Sequence, residues 1–293
     1  MIAIRNLEKL KENLTAYIFL APFLALLCIF MIYPMCRGIY NSFFDFRFSS
    51  QLFVGLENYI HVFTDKVYLL AIRNSLIFVF AVVSLLIIFG ILISGSIYDK
   101  HRHYVSGVRT CLYIPVICSM VVMTIIWRFM LDSQTGLLRY FYDSIGMTPV
   151  NLLGDAKWTL IILVFILFTM NIGQSVVLYV ASMISIPKEL SEALEIDGGK
   201  RIDLFRYILI PLSKPTTLFI FVTQTAAMLR VFAVIQLLTN GGPNYASTTM
   251  MYLLYQEGLI YGNFGSASAL GVVMFLMTLV LVSIQFKLVR QEK

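Results

Sequence analysis

The feature that most constrains this chain of 293 residues is a series of long apolar runs. Six runs each approach the ~20 residues that a helix needs to cross a hydrocarbon core of ~30 Å. They cover residues 15–36, 75–98, 108–130, 158–183, 216–238 and 267–288. Overall, 59% of the residues are hydrophobic, against about 45–50% in a soluble domain. One core of this length cannot bury that excess, so the sequence predicts an all-α polytopic membrane protein, with six transmembrane helices in one domain covering residues 1–293.

The first run has the position of a signal peptide but not its properties. It is longer than the apolar segment of about 7–15 residues that a signal peptide contains, and no small-x-small cleavage site follows it. The sequence therefore predicts a retained first transmembrane helix.

The distribution of basic residues predicts the orientation of the spans. With the N-terminus inside, the inner segments carry fourteen of the 22 Lys and Arg residues, the outer segments carry seven, and Arg230 lies within a span. Cytoplasmic loops are enriched in Lys and Arg, so both termini are predicted to be cytoplasmic. The net charge is +6, but no basic patch interleaved with aromatic residues is present, and we expect no nucleic-acid partner.

A polar loop separates the fourth and fifth runs, and we refer to residues 184–214 as the coupling loop. Pro187 suits the first position of a helix, where no N–H is needed. Asp197-Gly198-Gly199 then provides turn chemistry, because glycine adopts positive φ without steric cost. A second amphipathic helix follows and is predicted to end before Pro211. The pattern predicts a helix–turn–helix at the cytoplasmic surface, which either closes the loop between two spans or binds a partner.

One motif in the coupling loop resembles the signature cytoplasmic loop of ABC importer permeases. The pattern is Glu-Ala-x-x-x-Asp-Gly followed by Ile-x-x-Pro, and its residues are Glu192, Ala193, Asp197, Gly198, Ile208 and Pro211. The resemblance implies that the short first helix docks in a groove on an ATPase subunit and couples ATP-driven closure to movement of the membrane helices. Leu194 and Gly199 replace the alanines usual in the family. We expect Leu194 to enlarge the apolar contact and Gly199 to make the turn more flexible.

Other stretches are similar to the carbohydrate-uptake permeases related to the maltose and glycerol-3-phosphate importers, and in particular to the maltose-type first permease subunit. They are YIFLAPFLALL at 17–27, FVGLENY at 53–59, LLTNGGPNYAS at 237–247 and FGSASALGVVMF at 264–275. This resemblance implies a multi-pass protein in the lipid of the cell membrane of a prokaryote, and a saccharide substrate. The implied protein partners are a homologous second permease, two ATPase subunits that hold ATP and Mg, and an extracytoplasmic solute-binding protein.

The sequence contains no pattern typical of a nucleotide-binding, metal-binding or catalytic site. Gly198-Gly199-Lys200 is not a phosphate-binding loop, because Arg201 stands where Ser or Thr is needed. No metal-ligand spacing and no nucleophile–base–acid group is present, so we expect no catalytic residue, metal or cofactor in this chain, and no enzyme activity. The alternative is a secondary transporter driven by an ion gradient. That alternative needs carboxylates within the membrane, and the interiors of the runs contain none.

Polar residues within the runs indicate where a solute could pass. Asn171, Gln174, Gln224 and Arg230 are costly in lipid and should face other helices or a cavity. The amides either join helices, at about 0.6 kcal/mol each, or bind solute. Arg230 either bonds to helix carbonyls or extends outward, or it binds the carboxylate of an acidic saccharide. By resemblance to the maltose-type permeases, the candidate residues of the substrate pathway are Asn171, Gly173, Gln174, Met228, Arg230 and Val231.

Overall fold

The computed structural model describes residues 17–46 and 51–290, with side chains up to Lys287. The first two residues of the first predicted run lie outside the described residues, as do several basic residues of the orientation count, namely Arg5, Lys9, Lys11, Arg47 and Lys293. Within the described ranges the regular secondary structure is helical apart from one antiparallel hairpin, in which β1 (Phe44–Asp45) pairs with β2 (Leu52–Phe53). Loops and turns connect these elements. The prediction of an all-α membrane protein is confirmed.

Thirteen helices make up the described part of the chain. The N-terminal half contains α1 (Tyr17–Asn41), α2 (Glu57–Thr64), α3 (Lys66–Ile97), α4 (Arg102–Ile117), α5 (Met120–Leu131) and α6 (Leu137–Ser144). The C-terminal half contains α7 (Ala156–Ile184), α8 (Lys188–Ile196), α9 (Arg201–Leu212), α10 (Lys214–Leu229), α11 (Ala233–Leu238), α12 (Met250–Tyr255) and α13 (Phe264–Arg290). A π-helical turn, Gln256–Ile260, extends α12.

Four helices are long and apolar enough to cross a membrane, and bent pairs raise the number to six. The four are α1, α3, α7 and α13, which match the first, second, fourth and sixth runs. The third run is not one straight helix as predicted, because α4 and α5 meet at an angle of 98°. Pro115 lies two residues before the end of α4, and its missing N–H weakens the helix at this point.

The fifth run, predicted to be continuous over 216–238, is also interrupted. Helix α10 ends at Leu229, residues 230–232 are not α-helical, and α11 begins at Ala233. A hydroxyl satisfies one carbonyl in this break, because Thr249 Oγ1 donates to Val231 O over 2.9 Å. Thr249 comes from the Gly-Gly-Pro loop, residues 239–249, which folds back against the break.

The Gly-Gly-Pro loop is attached to the second span by a buried amide. Asn74 Nδ2 donates to the carbonyls of Thr248 over 3.0 Å and Tyr245 over 3.2 Å. Because Asn74 is fully buried, water does not compete for these hydrogen bonds. The loop and the break in the fifth run are therefore held against α3.

Helices α3 and α7 form the centre of the bundle, and α10 packs against both. Their buried side chains form one apolar cluster that includes Phe78, Leu86, Leu163, Val176 and Leu229. This cluster places the fourth and fifth runs, which carry the polar residues, side by side.

Candidate functional site

The coupling loop begins with α8, which starts one residue later than predicted. Pro187 has an extended ψ of 132° and is the N-cap, not the first helical residue. At the other end Gly198 has a φ of +76°. The Gly198 N–H donates to Glu195 O over 3.0 Å and the Gly199 N–H to Leu194 O over 2.8 Å, which is the Schellman pattern of helix termination. The predicted glycine turn is present.

The two residues that depart from the family alanines are in contact with each other. Leu194 is half-buried against the cluster of Met183, Ile186, Leu204 and Leu209. A Cβ atom on Gly199 would lie 2.5 Å from Leu194 Cγ and 2.9 Å from Leu194 O. The leucine thus fills the volume that an alanine at position 199 would need, and glycine at 199 serves this close approach.

The second helix of the loop, α9, ends later than predicted. It extends through Pro211 to Leu212, because a π-helical turn precedes the proline and the Ile210 N–H already reaches back to Phe205 O. At its start, Asp203 Oδ2 accepts the Lys200 N–H over 2.8 Å. Asp197, by contrast, lies at the C-cap of α8.

The signature residues are mostly presented outward on this chain. Glu192, Ala193 and Asp197 are exposed. Between them Ile196, a large apolar side chain on this polar loop, is 86% exposed. Because singly exposed apolar residues are common on protein surfaces, loop closure and partner binding both stay predictions for this helix.

Arg201, for which the sequence predicts no structural role, joins the coupling loop to the second span. Its Nη2 donates to Ser96 O over 2.7 Å and to Tyr98 O over 3.4 Å. Helix α9 is therefore attached to the end of α3.

Two of the membrane amides meet between α7 and α10. Gln224 Nε2 donates to Gln174 Oε1 over 3.4 Å, while Gln224 Oε1 is buried without a hydrogen-bond partner among the described residues. Asn171 is half-buried on the same helix as Gln174, and its Nδ2 donates to Leu167 O over 2.8 Å. The Gln174–Gln224 pair thus joins α7 and α10 and leaves Gln224 Oε1 as a buried acceptor without a partner among the described residues.

A further buried amide was missed because it lies in the sixth run, near its end. Gln285 Nε2 donates to Thr225 Oγ1 over 2.7 Å and connects α13 with α10. A glutamine in an apolar run is the signal that would have identified it.

The remaining pathway candidates lie in different surroundings. Met228 and Val231 are buried in the apolar cluster. Gly173 faces α4, where a Cβ atom would collide with the backbone of Leu112. Arg230 is exposed at the end of α10, and its Nε donates to Ala226 O over 3.0 Å. One N–H group of the guanidinium is thereby used, as the helix-carbonyl alternative predicts.

The family model described as "Binding-protein-dependent transport system inner membrane component" matches residues 76–292. The chain belongs to this family. Relatives match over almost their whole length. The probable ABC transporter permease protein YurN of Bacillus subtilis (strain 168) is 30% identical over 97% of this chain and 98% of the relative. The sn-glycerol-3-phosphate transport system permease protein UgpA of Agrobacterium fabrum (strain C58 / ATCC 33970) is 31% identical over 96% of each chain. The lactose transport system permease protein LacF of Rhizobium radiobacter is 27% identical over 99% of this chain and 98% of the relative.

Solved structures share the fold. A chain of a bacterial ABC transporter involved in the import of the acidic polysaccharide alginate superposes with a TM-score of 0.87 at 24% identity, and covers 98% of this chain and 99% of that chain. A second structure of an alginate ABC transporter, in complex with an alginate pentasaccharide-bound periplasmic protein, gives a TM-score of 0.85 at 23% identity, and covers 97% and 96%.

The predicted class, a permease subunit of an ABC importer in the inner membrane, is confirmed by this membership. The family consists of membrane components of binding-protein-dependent systems rather than of enzymes. No comparison supports the alternative of a secondary transporter. The residue-level predictions for ATPase coupling and for the substrate pathway stay predictions.

Proposed function

We propose that this chain is the first permease subunit of an importer for saccharides. The relatives and solved structures named above concern lactose, glycerol 3-phosphate and alginate. Each of these is a polyhydroxylated solute, and two are sugars. Recognition of hydroxyl groups requires hydrogen-bond donors and acceptors held within an otherwise apolar site.

The observation that carries the proposal is the position of the buried amides beside interrupted helices. Irregular backbone at membrane depth is tolerated where it is buried in protein or lines a cavity, and interrupted helices are where transporters bind solute. The third and fifth runs are both interrupted, and Arg128 Nη1 connects their outer halves by donating to Leu237 O over 3.4 Å. Gln174 and Gln224 lie on α7 and α10 below this region and provide an unused acceptor.

Because Arg230 carries a positive charge, the proposed substrates include an acidic saccharide. Nε is bound to Ala226 O, and the four N–H groups of the two terminal nitrogens have no hydrogen bond within the described part of the chain. These groups could bind a carboxylate or a hydroxyl. An acidic oligosaccharide would be held by charge, and a neutral one by hydrogen bonds alone.

The partners follow from the coupling loop. We propose that α8 docks on one of two ATPase subunits, which hold ATP and Mg, and that the ATPase-coupling residues are Glu192, Ala193, Asp197, Gly198 and Pro211. A homologous second permease would complete the pathway and an extracytoplasmic solute-binding protein would deliver the saccharide. The excess of basic residues in the inner segments supports cytoplasmic termini.

Transport by the complex purified from its native host tests the proposal. The complex and its binding protein are reconstituted in liposomes with ATP inside and offered lactose, glycerol 3-phosphate or a uronic acid oligosaccharide. We expect ATP-dependent uptake of at least one saccharide, unchanged by a protonophore. Uptake that collapses with the ion gradient, or no saccharide uptake, contradicts the proposal.

A matched pair of variants tests the site. Gln174→Leu removes an amide that faces Gln224. Thr223→Val removes a hydroxyl whose hydrogen bonds, among the residues that the structure describes, go to Phe219 O and Ile220 O of its own helix. We expect Gln174→Leu to raise the KM for uptake about tenfold, as for the loss of one or two polar contacts, with Thr223→Val near wild type. Equal effects of the two changes would assign the amide pair to helix packing.

A further inference from the structure

The cytoplasmic end of α3 is bound by one side chain of the coupling loop. The last carbonyls of any helix lack partners within the helix, and those near the end of α3 include Ser96 O. Arg201 Nη2 donates to this oxygen over 2.7 Å, and to Tyr98 O just beyond the helix over 3.4 Å. A cation at a helix C-terminus also interacts favourably with the helix dipole. The contact is therefore a charge-assisted bond between two elements far apart in the chain.

An apolar contact lies one helical turn further along α9. Phe205 follows Arg201 by four residues, so both side chains point from the same face of the helix. The Phe205 ring lies directly on Gly95, where any Cβ atom would collide with it. One face of α9 thus contacts neighbouring residues of α3 through a hydrogen bond and an apolar contact.

Helix α3, to which α9 is bound, is one of the central helices of the bundle. Helix α3 contributes Phe78, Val82 and Leu86 to the main apolar cluster, where each is fully buried. A close-packed interior transmits displacement with little compression. A shift of the end of α3 is therefore passed to α7 and α10, which carry the amide pair.

We propose that Arg201 is a positioning residue for coupling: it fastens the coupling loop to the cytoplasmic end of the second span, so that ATPase-driven displacement of α8 moves α3. The inference rests on the proposed function of the loop and adds a route by which its movement enters the bundle. Arg201 does not touch the solute and need not touch the ATPase, and it acts through the Ser96 and Tyr98 carbonyls.

The test compares two arginines of the same helix. Arg201→Met keeps the apolar stem and removes the donors. Arg206→Met removes the same charge from a side chain whose guanidinium lies 5.8 Å from the ring centre of the adjacent Tyr207 and has no bond to α3 among the described residues. Arg201→Lys keeps the charge without the planar fork. The complexes are reconstituted as above, and ATP hydrolysed per molecule of solute taken up is measured with the saccharide that the wild type transports.

We expect Arg201→Met to raise the ATP-to-solute ratio about tenfold, the factor that corresponds to one hydrogen bond to a charged group. Arg201→Lys should lie between this variant and the wild type, and Arg206→Met should match the wild type. An unchanged ratio in an assembled Arg201→Met complex overturns the inference, even if the complex is less stable. If that variant does not assemble, Arg201→Lys and Gly95→Ala decide, and wild-type ratios in both overturn it. A wild-type complex without ATP-dependent uptake refutes the proposed function instead.

Discussion

Replacement of Gly199 by alanine is the sharpest test of the local structure of the coupling loop. The added Cβ atom would lie 2.5 Å from Leu194 Cγ, 2.6 Å from Leu194 Cδ1 and 2.9 Å from Leu194 O. The leucine side chain can rotate, but the carbonyl oxygen accepts the Gly199 N–H over 2.8 Å and cannot withdraw without opening the turn. Gly199→Ala should therefore weaken the end of α8, although alanine is the residue usual at this position in the family.

The size of the effect follows from two opposing contributions. Inserting a methyl group into a packed contact costs about 1–3 kcal/mol. A Gly→Ala change at a position whose backbone suits alanine stabilises by about 0.4–1 kcal/mol through the unfolded chain, and the backbone of Gly199 is not left-handed. The net cost at the turn is about 1–2 kcal/mol, because the steric contribution is larger. With Leu194→Ala already present only the contact with the carbonyl oxygen of residue 194 is left, so the same change should cost less than in the wild-type background.

Hydrogen exchange of the peptide covering residues 190–204 measures this free energy directly, because the turn amides exchange when the turn opens. In the purified complex, Gly199→Ala should lower the protection of the amide at position 199 about tenfold, since about 1.4 kcal/mol corresponds to that factor. In the Leu194→Ala background the same change should lower protection by a clearly smaller factor. Equal effects in both backgrounds would show that Leu194 and Gly199 do not compete for one volume, and the compensation argument would be wrong.

Four further predictions concern the coupling loop and the contact between α7 and α4. Gly198 has a φ of +76°, and no atom lies within 4 Å of the position that a Cβ would take. Gly198→Val should therefore introduce about 1–3 kcal/mol of backbone strain and uncouple ATP hydrolysis from uptake. Gly198→Asn should have a smaller effect, because asparagine tolerates positive φ better than valine. Asp203→Ala should destabilise the start of α9 by about 0.5–2 kcal/mol in hydrogen exchange. By contrast, Asp197→Ala should leave exchange unchanged and lower the amount of ATPase subunit that co-purifies. Gly173→Ala should reduce the amount of assembled complex by forcing α7 away from α4, whereas Gly107→Ala, with no atom within 4 Å of the added group, should leave it unchanged.

Apolar length predicted which runs are helices but not where they are interrupted. Hydropathy measures the cost of leaving lipid, and this cost is the same for a straight helix and for two short helices at an angle. Pro115 signalled the interruption of the third run. The fifth run contains no proline or glycine at residues 230–232. Its break depends on Thr249, which satisfies Val231 O from a loop that follows later in the chain.

The coupling loop was predictable to the extent that its signals are local. Gly198 and the amphipathic stripe of α8 specify a helix and its end. The Arg201 contact with Ser96 joins residues 105 positions apart, and nothing in the spacing of either segment indicates the other. Asp197 and Asp203 are both acidic residues near the turn, so composition could not decide which one accepts the Lys200 N–H.

The coupling loop and the amide pair are connected by a second route, through the chain itself. Only Ser213 separates α9 from α10, at a bend of 60°, and its N–H donates to Leu209 O over 3.1 Å while its own carbonyl accepts the Thr217 N–H over 2.9 Å. Four residues into α10, Thr217 Oγ1 accepts a bond from the Tyr179 hydroxyl of α7 over 2.9 Å. A rotation of α9 about the bend would thus turn α10 directly and pull on α7 through a buried tyrosine. Because Gln224 and Gln174 belong to those two helices, and their contact is long at 3.4 Å, a small relative movement is sufficient to break it. Docking of an ATPase at α8 would then change the hydrogen-bonding groups offered to a solute without any residue of the loop approaching the solute.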